Sequence, residues 1–118
     1  MPPADLVVDA LIGYALDGPP TGSAAALIEA ANDHPAPTFG LDLPSGLDAT
    51  TGTALTPGIR ADATLTLALP KRGLWAPWAH AASGELYLAD IGVPEAVYRR
   101  LGMCVGPIFA RQSVLRIG

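Results

Sequence analysis

Three stretches in the first forty-odd residues restrict the fold more than anything else in the chain. "DLVVDALIG" (5–13) is a compact apolar run with adjacent valines, bounded by Asp5 and Gly13, and it reads as a short buried strand. "SAAALIEAAN", from Gly22 or Ser23 to Asn32, puts Ala24, Leu27, Ile28 and Ala31 at positions i, i+3, i+4 and i+7, the stripe of an amphipathic helix, while Glu29 and Asn32 fall away from it. Its alanines allow close approach to a sheet. "PTFGLD" (37–42) reads as a second strand. Two parallel strands cannot be joined by a tight turn and need a crossover, so strand, helix, strand predicts α/β layers.

The rest of the chain continues the alternation. "ADATLTLALP" (61–70) reads as a third strand through its Thr64, Leu65, Thr66, Leu67 alternation, and "GELYLADIG" (84–92) as a fourth. "PEAVYRRLG" (94–102) is a short helix with Pro94 at its opening and Gly102 as its stop. Residues 103–118 show no clear period and read as a C-terminal tail. A chain of 118 residues, 50% of them hydrophobic, is one domain with enough apolar material for a core.

Charge and composition exclude several classes of function. Every one of the 7 Lys and Arg residues lies at Arg60 or later, whereas seven of the 11 acids (Asp5, Asp9, Asp17, Glu29, Asp33, Asp42, Asp48) precede it, so the two halves carry about −7 and +3. An acidic half suits a cation and repels a phosphate backbone, and with no basic stripe among aromatics, nucleic acid is not expected as a partner. No apolar run approaches the roughly eighteen residues of a membrane-spanning helix, and "MPPADLVVD" lacks the layout of a signal peptide, so no membrane partner and a cytoplasmic location are expected. The single cysteine, Cys104, is expected to be a buried or incidental thiol.

In a parallel sheet, ligands bind beyond the carboxyl ends of the strands. Two loops leave there: Gly13, Tyr14, Ala15, Leu16, Asp17, Gly18 and Pro19 after the first strand, and Leu43 to Gly52 after the second. Asp9 and Asp42 then sit near one crevice. Asp9 lies within an apolar strand, and a buried carboxylate needs a partner or a cation. Asp42 and the Ser45-Gly46 pair also suit an Asx-type turn and ordinary turn chemistry. Asp17 and Asp48 read as solvated loop acids, Trp75 and Trp78 as residues packing a loop against the sheet, and His34 as a surface residue. His80 is too isolated to assign. A serine-hydrolase reading of "LPSGL" fails because Leu43 stands where a nucleophile elbow needs glycine.

Taken in order and at these separations, "DLVVDALIG", "LDGPPTG", "LDLPSGLDATTG", "ADATLTLALPKRGL" and "GELYLADIGVPE" resemble the C-terminal half of the NAD(P)H-hydrate epimerase domain, also called the YjeF N-terminal domain. The resemblance spans the chain to about Glu95, which makes residues 1–102 a partial domain of this kind. It implies a Rossmann-like three-layer α/β/α fold with a mostly parallel sheet, truncated at the N-terminus. It also implies an isomerase of nicotinamide nucleotide repair, interconverting the R and S forms of hydrated NADH or NADPH before a dehydratase acts.

By the same resemblance a potassium ion is the cofactor, with Asp9 and Ser45 as ligands. The 13–19 loop lies along the hydrated dinucleotide, and Asp42 contacts the substrate. These assignments suit the chemistry, since potassium takes hard oxygen donors and epimerisation needs a placed acid/base, for which Asp42 is the candidate. Lys71 in "LPKRG" stands where it would offset negative charge. Relatives continue "DALIG" with a Thr-Gly-like pair where this chain has Tyr14 and Ala15. The family's Gly-Asn-Asn-Gly-Gly-Asp-Gly loop is expected to precede Met1. Expected partners are therefore a second copy, the missing N-terminal half or a dehydratase domain, and the competing reading is a non-catalytic Rossmann-like binding or interaction module.

Overall fold

The computed structural model describes residues 1–118. Four short parallel strands, β1 (Val7–Asp9), β2 (Thr38–Leu41), β3 (Ala63–Leu67) and β4 (Glu85–Ala89), lie side by side in chain order, and β5 (Val114–Arg116) adds to β4 antiparallel. The helix α1 (Gly22–Asp33) links β1 to β2. Two 3₁₀ turns, Arg72–Trp75 and Pro77–Ala79, run into α2 (His80–Ser83) and link β3 to β4, while α3 (Glu95–Arg100) follows β4. The fold is α/β and Rossmann-like with a mostly parallel sheet, as expected. The 103–118 segment contributes the strand β5, and the carbonyl of its last residue accepts the amide of Leu86 at 2.7 Å. Sequence pattern missed β5 because only three residues pair, with the apolar Leu115 alone turned inward between exposed Val114 and Arg116.

Strand register explains which residues are buried. Val7, Asp9, Thr38, Gly40, Thr64, Thr66, Leu86 and Leu88 fall on one face, because parallel pairing aligns Asp9 with Gly40, Gly40 with Thr64, and Thr64 with Leu86. All of them are buried. Over this face α1 brings Ile28 and Ala31 against Val7, Ile59 and Ala61, and the β3–β4 connection brings Leu74, Ala79 and Ala82 against Leu43, Leu47 and Leu86. Of the predicted helix stripe, Ile28 and Ala31 are buried, whereas Leu27 is exposed beside the edge strand β1. On the opposite face Val8 and Leu41 are exposed, and Phe39, Leu65, Leu67 and Tyr87 are half-buried. Of the three expected layers, these residues supply the sheet and the helical layer on one side.

Two other expectations are corrected. Trp75 and Trp78 do not pack the loop onto the sheet. They are 56% and 66% exposed, and their neighbours Leu74 and Ala79 enter the core instead. Ala76, extended between the two 3₁₀ turns, separates them, and the turns direct Gly73, Leu74 and Ala79 inward while both indoles stay largely exposed, Trp78 Nε1 donating to the Thr51 carbonyl at 3.1 Å. Cys104 is exposed, which excludes the buried alternative and leaves the incidental one.

The 43–47 turn is closed by the 55–59 segment. The amide of Leu55 donates to the carbonyl of Gly46 and that of Ile59 to the carbonyl of Ser45, both at 2.8 Å. Gly46 has φ +95° and a Cβ there would lie 2.7 Å from the Gly58 Cα and 2.9 Å from the Pro57 carbonyl oxygen, backbone atoms with no flexible side chain to yield. Gly46→Ala is expected to destabilise by about 2–4 kcal/mol, read as a lower denaturant midpoint. A midpoint unchanged from wild type would show that the two segments separate freely.

Candidate functional site

Both site-bearing loops leave the carboxyl ends of β1 and β2, neighbours in the sheet, and they build two separate groups of polar atoms. The first surrounds Asp9, the last residue of β1, which is 3% exposed. One carboxylate oxygen, Oδ2, accepts the Ser45 amide at 2.6 Å, and Oδ1 accepts the Ser45 hydroxyl at 2.6 Å and, more weakly, the Leu11 amide at 3.4 Å. Ser45 Oγ in turn accepts the Ile12 amide at 2.9 Å and lies 3.2 Å from the Ile12 carbonyl oxygen. Asp9 and Ser45 are therefore brought together, and their contacts anchor the start of the 13–19 loop to the 43–47 turn. Carboxylate, hydroxyl and carbonyl oxygens converge within hydrogen-bonding distance, a donor set of the hard kind that potassium takes. No group of three or more His, Cys, Asp or Glu side chains converges anywhere in the chain.

The second group is Asp42, one residue past β2. Its amide still continues the pairing with β3 by donating to the Leu65 carbonyl at 2.8 Å, but its φ is +68°, a conformation that L-residues other than Asn and Asp seldom adopt. This twist sends the side chain across the end of β3 instead of into its own loop. Oδ1 accepts the Leu67 amide at 3.1 Å, the Thr66 hydroxyl at 3.2 Å and the Lys71 ammonium. The Asx-turn alternative is thus not what forms, since no local amide reaches this carboxylate. Ala68 also has a positive φ, +65°, so two non-glycine residues hold left-handed backbone beside one carboxylate. Such strain persists only where surrounding structure enforces it, and it clusters at functional sites.

Asp9 and Asp42 share no hydrogen-bonding partner, so the two groups are distinct constellations at one sheet edge. The 13–19 loop runs exposed or half-buried, with Tyr14 at 74%. Gly13 has an ordinary φ, and a Cβ there would meet nothing within 4 Å, so neither packing nor backbone geometry requires glycine at that position. A cavity of about 190 Å³ beside Ala68, lined also by Asp90, Tyr98 and residues of the 105–110 segment, is lined by neither Asp9 nor Asp42. Thr66 is the site residue that pattern reading missed. The Thr64, Leu65, Thr66, Leu67 alternation marked a strand but not which of its faces is buried, and nothing local revealed that Asp42 would reach Thr66.

Asp48 is not merely solvated. Its Oδ1 accepts the amides of Thr50 and Thr51, both at 2.8 Å, and these bonds hold its carboxyl below the ordinary value of 3.8. A depressed folded-state value means that the contribution is fully present above 3.8 and is lost as pH falls through the lowered folded value. Asp48→Asn is expected to flatten the acid limb of stability, compared with wild type by denaturant titration at a series of acidic pH values. Identical acid limbs for the two proteins would exclude this role.

The architecture defines a Rossmann-like α/β protein with its polar constellation at the carboxyl edge of the sheet. The chain belongs to the family described as YjeF-related protein N-terminus, whose model matches residues 1–73. It is 50% identical over 102 residues to the NAD(P)H-hydrate epimerase of Dehalogenimonas lykanthroporepellens, an alignment covering 85% of this chain and 39% of that protein. It is also 46% identical over 92 residues to the bifunctional NAD(P)H-hydrate repair enzyme Nnr of Moorella thermoacetica, covering 78% of this chain and 17% of that enzyme. The chain thus spans about two fifths of the epimerase and about a sixth of the bifunctional enzyme. Among solved structures, that of yeast ynu0 superposes with a TM-score of 0.73 at 19% identity, covering 96% of this chain and 46% of the yeast chain, a likeness of fold. No helix is long and apolar enough to cross a membrane.

Proposed function

We propose that this chain carries the acid/base half of an NAD(P)H-hydrate epimerase, an isomerase that interconverts the R and S forms of hydrated NADH or NADPH in the cytoplasm. The observation that carries the reading is the Asp42 carboxylate, held by three donors at the carboxyl edge of a parallel sheet in a chain 50% identical to an epimerase. Interconverting epimers requires one bond at the hydrated carbon to break and re-form, with a group nearby that takes a proton and returns it. Asp42 is that group. The 13–19 loop is the wall along which the dinucleotide lies.

Asp9 and Ser45, with the Ile12 carbonyl beside them, are the residues that would hold a potassium ion. When bound, such an ion supplies positive charge to balance negative charge on the substrate. The protein's own part at this spot is to tie the 13–19 loop to the 43–47 turn, which fixes the distance between the dinucleotide wall and the Asp42 strand end.

The reading is tested by following R and S hydrated NADH by chirally resolving chromatography in potassium buffer. The chain is assayed alone and together with the N-terminal half of the Dehalogenimonas relative. Acceleration with the two parts together supports the epimerase. Binding of the hydrate without acceleration by either preparation would favour the non-catalytic module.

A further inference from the structure

We propose that Lys71 is a positioning residue that pins Asp42 by one oxygen, Oδ1, and so leaves Oδ2 as the atom that exchanges the proton. This rests on the epimerase reading of the Asp42 site and adds to it a second side chain and the identity of the reacting atom.

The argument starts from how the two oxygens differ. Oδ1 takes three donors, the Leu67 amide, the Thr66 hydroxyl and the Lys71 ammonium, whereas Oδ2 makes no hydrogen bond within the chain. An oxygen that already accepts three donors has no lone pair left for a substrate proton. The free oxygen is therefore the basic one, and the carboxylate cannot rotate to exchange the two without breaking all three bonds.

Lys71 closes this arrangement. Besides Asp42, its Nζ donates to the Leu67 carbonyl at 3.1 Å and approaches Thr66 Oγ1 at 3.4 Å. Its three protons thus find three acceptors that belong to, or bond with, the same strand end. Both side chains are largely covered, at 19% and 25% exposed, so this is not a solvated surface pair whose partners drift apart. The other ion pair in the structure, Arg116 with Glu85, is by contrast 62% and 52% exposed.

Residue choice points the same way. Lys71 is the single lysine among 7 basic residues, the other six being arginines. A compact ammonium can satisfy acceptors converging from three directions, where the flat guanidinium fork of arginine spreads its donors in one plane. The left-handed backbone at Asp42 and Ala68 brackets this contact from both strands, which keeps the carboxylate at the strand end where the clamp can reach it.

The single lysine makes the test specific. With [¹⁵N]lysine labelling of the full chain, one side-chain ammonium signal is expected, protected from solvent exchange and displaced in Asp42→Asn. In the complemented enzyme, Lys71→Met is expected to lower kcat about 100-fold with KM within about twofold, as for a group that acts by placement. Lys71→Cys in a Cys104→Ser background, converted to thialysine by alkylation, restores the ammonium and should recover most of kcat without altering the rest of the fold. Recovery also distinguishes lost placement from misfolding.

An ammonium signal indifferent to Asp42→Asn overturns the clamp whether or not the chain is an epimerase. Unchanged kcat in Lys71→Met, with Asp42→Asn inactive, overturns the positioning role while leaving the epimerase reading intact. No epimerisation by the complemented wild-type protein removes that reading, and the proton-exchange role of Oδ2 with it, whatever the ammonium signal shows.

Discussion

Asp42→Asn is expected to abolish epimerisation in the complemented enzyme, a loss of about 1,000-fold or more in kcat. The asparagine side chain has the size of the aspartate it replaces, and its carbonyl oxygen can still accept from the Leu67 amide and the Thr66 hydroxyl, so the strand end keeps its form. What disappears is the ability to take up and return a proton, and general acid/base groups of this kind contribute about 10²–10⁴-fold. The chain alone is expected to give no acceleration above the spontaneous interconversion even as wild type. It spans 39% of the epimerase relative, and each polar substrate contact that it does not supply is worth about 1 kcal/mol, so several together weaken binding by orders of magnitude. Chirally resolving chromatography separates the outcomes. Robust epimerisation by the 118-residue chain alone would falsify the expectation that it is inactive by itself, and Asp42→Asn with wild-type rate would remove Asp42 from the reaction.

The second large effect concerns association. The chain is expected to self-associate at tens of micromolar and to bind a dye that reports apolar surface. One sheet face carries Val8, 56% exposed, and Leu41, 39% exposed, beside half-buried Phe39, Leu65 and Leu67. The adjoining edge strand β1 pairs only with β2, so its outer backbone groups are open to another strand, and Leu6, Leu11 and Leu27 around it are exposed. An open edge continuous with an apolar face is the combination that draws a second chain. Val8→Lys with Leu41→Glu places opposite charges on that face and should shift the population to monomer in sedimentation velocity, with dye binding reduced in parallel. A monodisperse wild-type monomer that binds no dye would show that this surface is stable in water as it stands.

How much of this was legible beforehand differs from element to element. The helix α1 and the strands β1 to β4 were readable because their signals are local: a 3.6-residue stripe through Ile28 and Ala31, and short apolar or alternating runs between glycines and prolines. Strand β5 was not, since three residues against β4 carry no period of their own. The exposure of Trp75 and Trp78 was also illegible, because hydrophobicity says what a residue gains from burial and not whether the 3₁₀ turns aim it inward.

The same division runs through the site. Asp9 stands out in the chain by chemistry alone, as a carboxylate within an apolar strand that needs a partner, whereas Asp42 and Ser45 suit ordinary turn chemistry equally well and are singled out by the family resemblance. Their being at one end of the sheet follows from strand, helix, strand, since parallel strands present the same end to solvent. Which partner each one takes was decided only by tertiary structure. Asp9 meets Ser45 across 36 residues and Asp42 meets Lys71 across 29, distances in sequence over which no periodicity or turn rule operates. The positive φ at Asp42 goes with a carboxylate that crosses to Thr66 and Leu67 of β3 rather than folding into its own turn. Local chemistry could nominate the carboxylate, but the bonds that leave one of its oxygens free depend on two strands meeting in register.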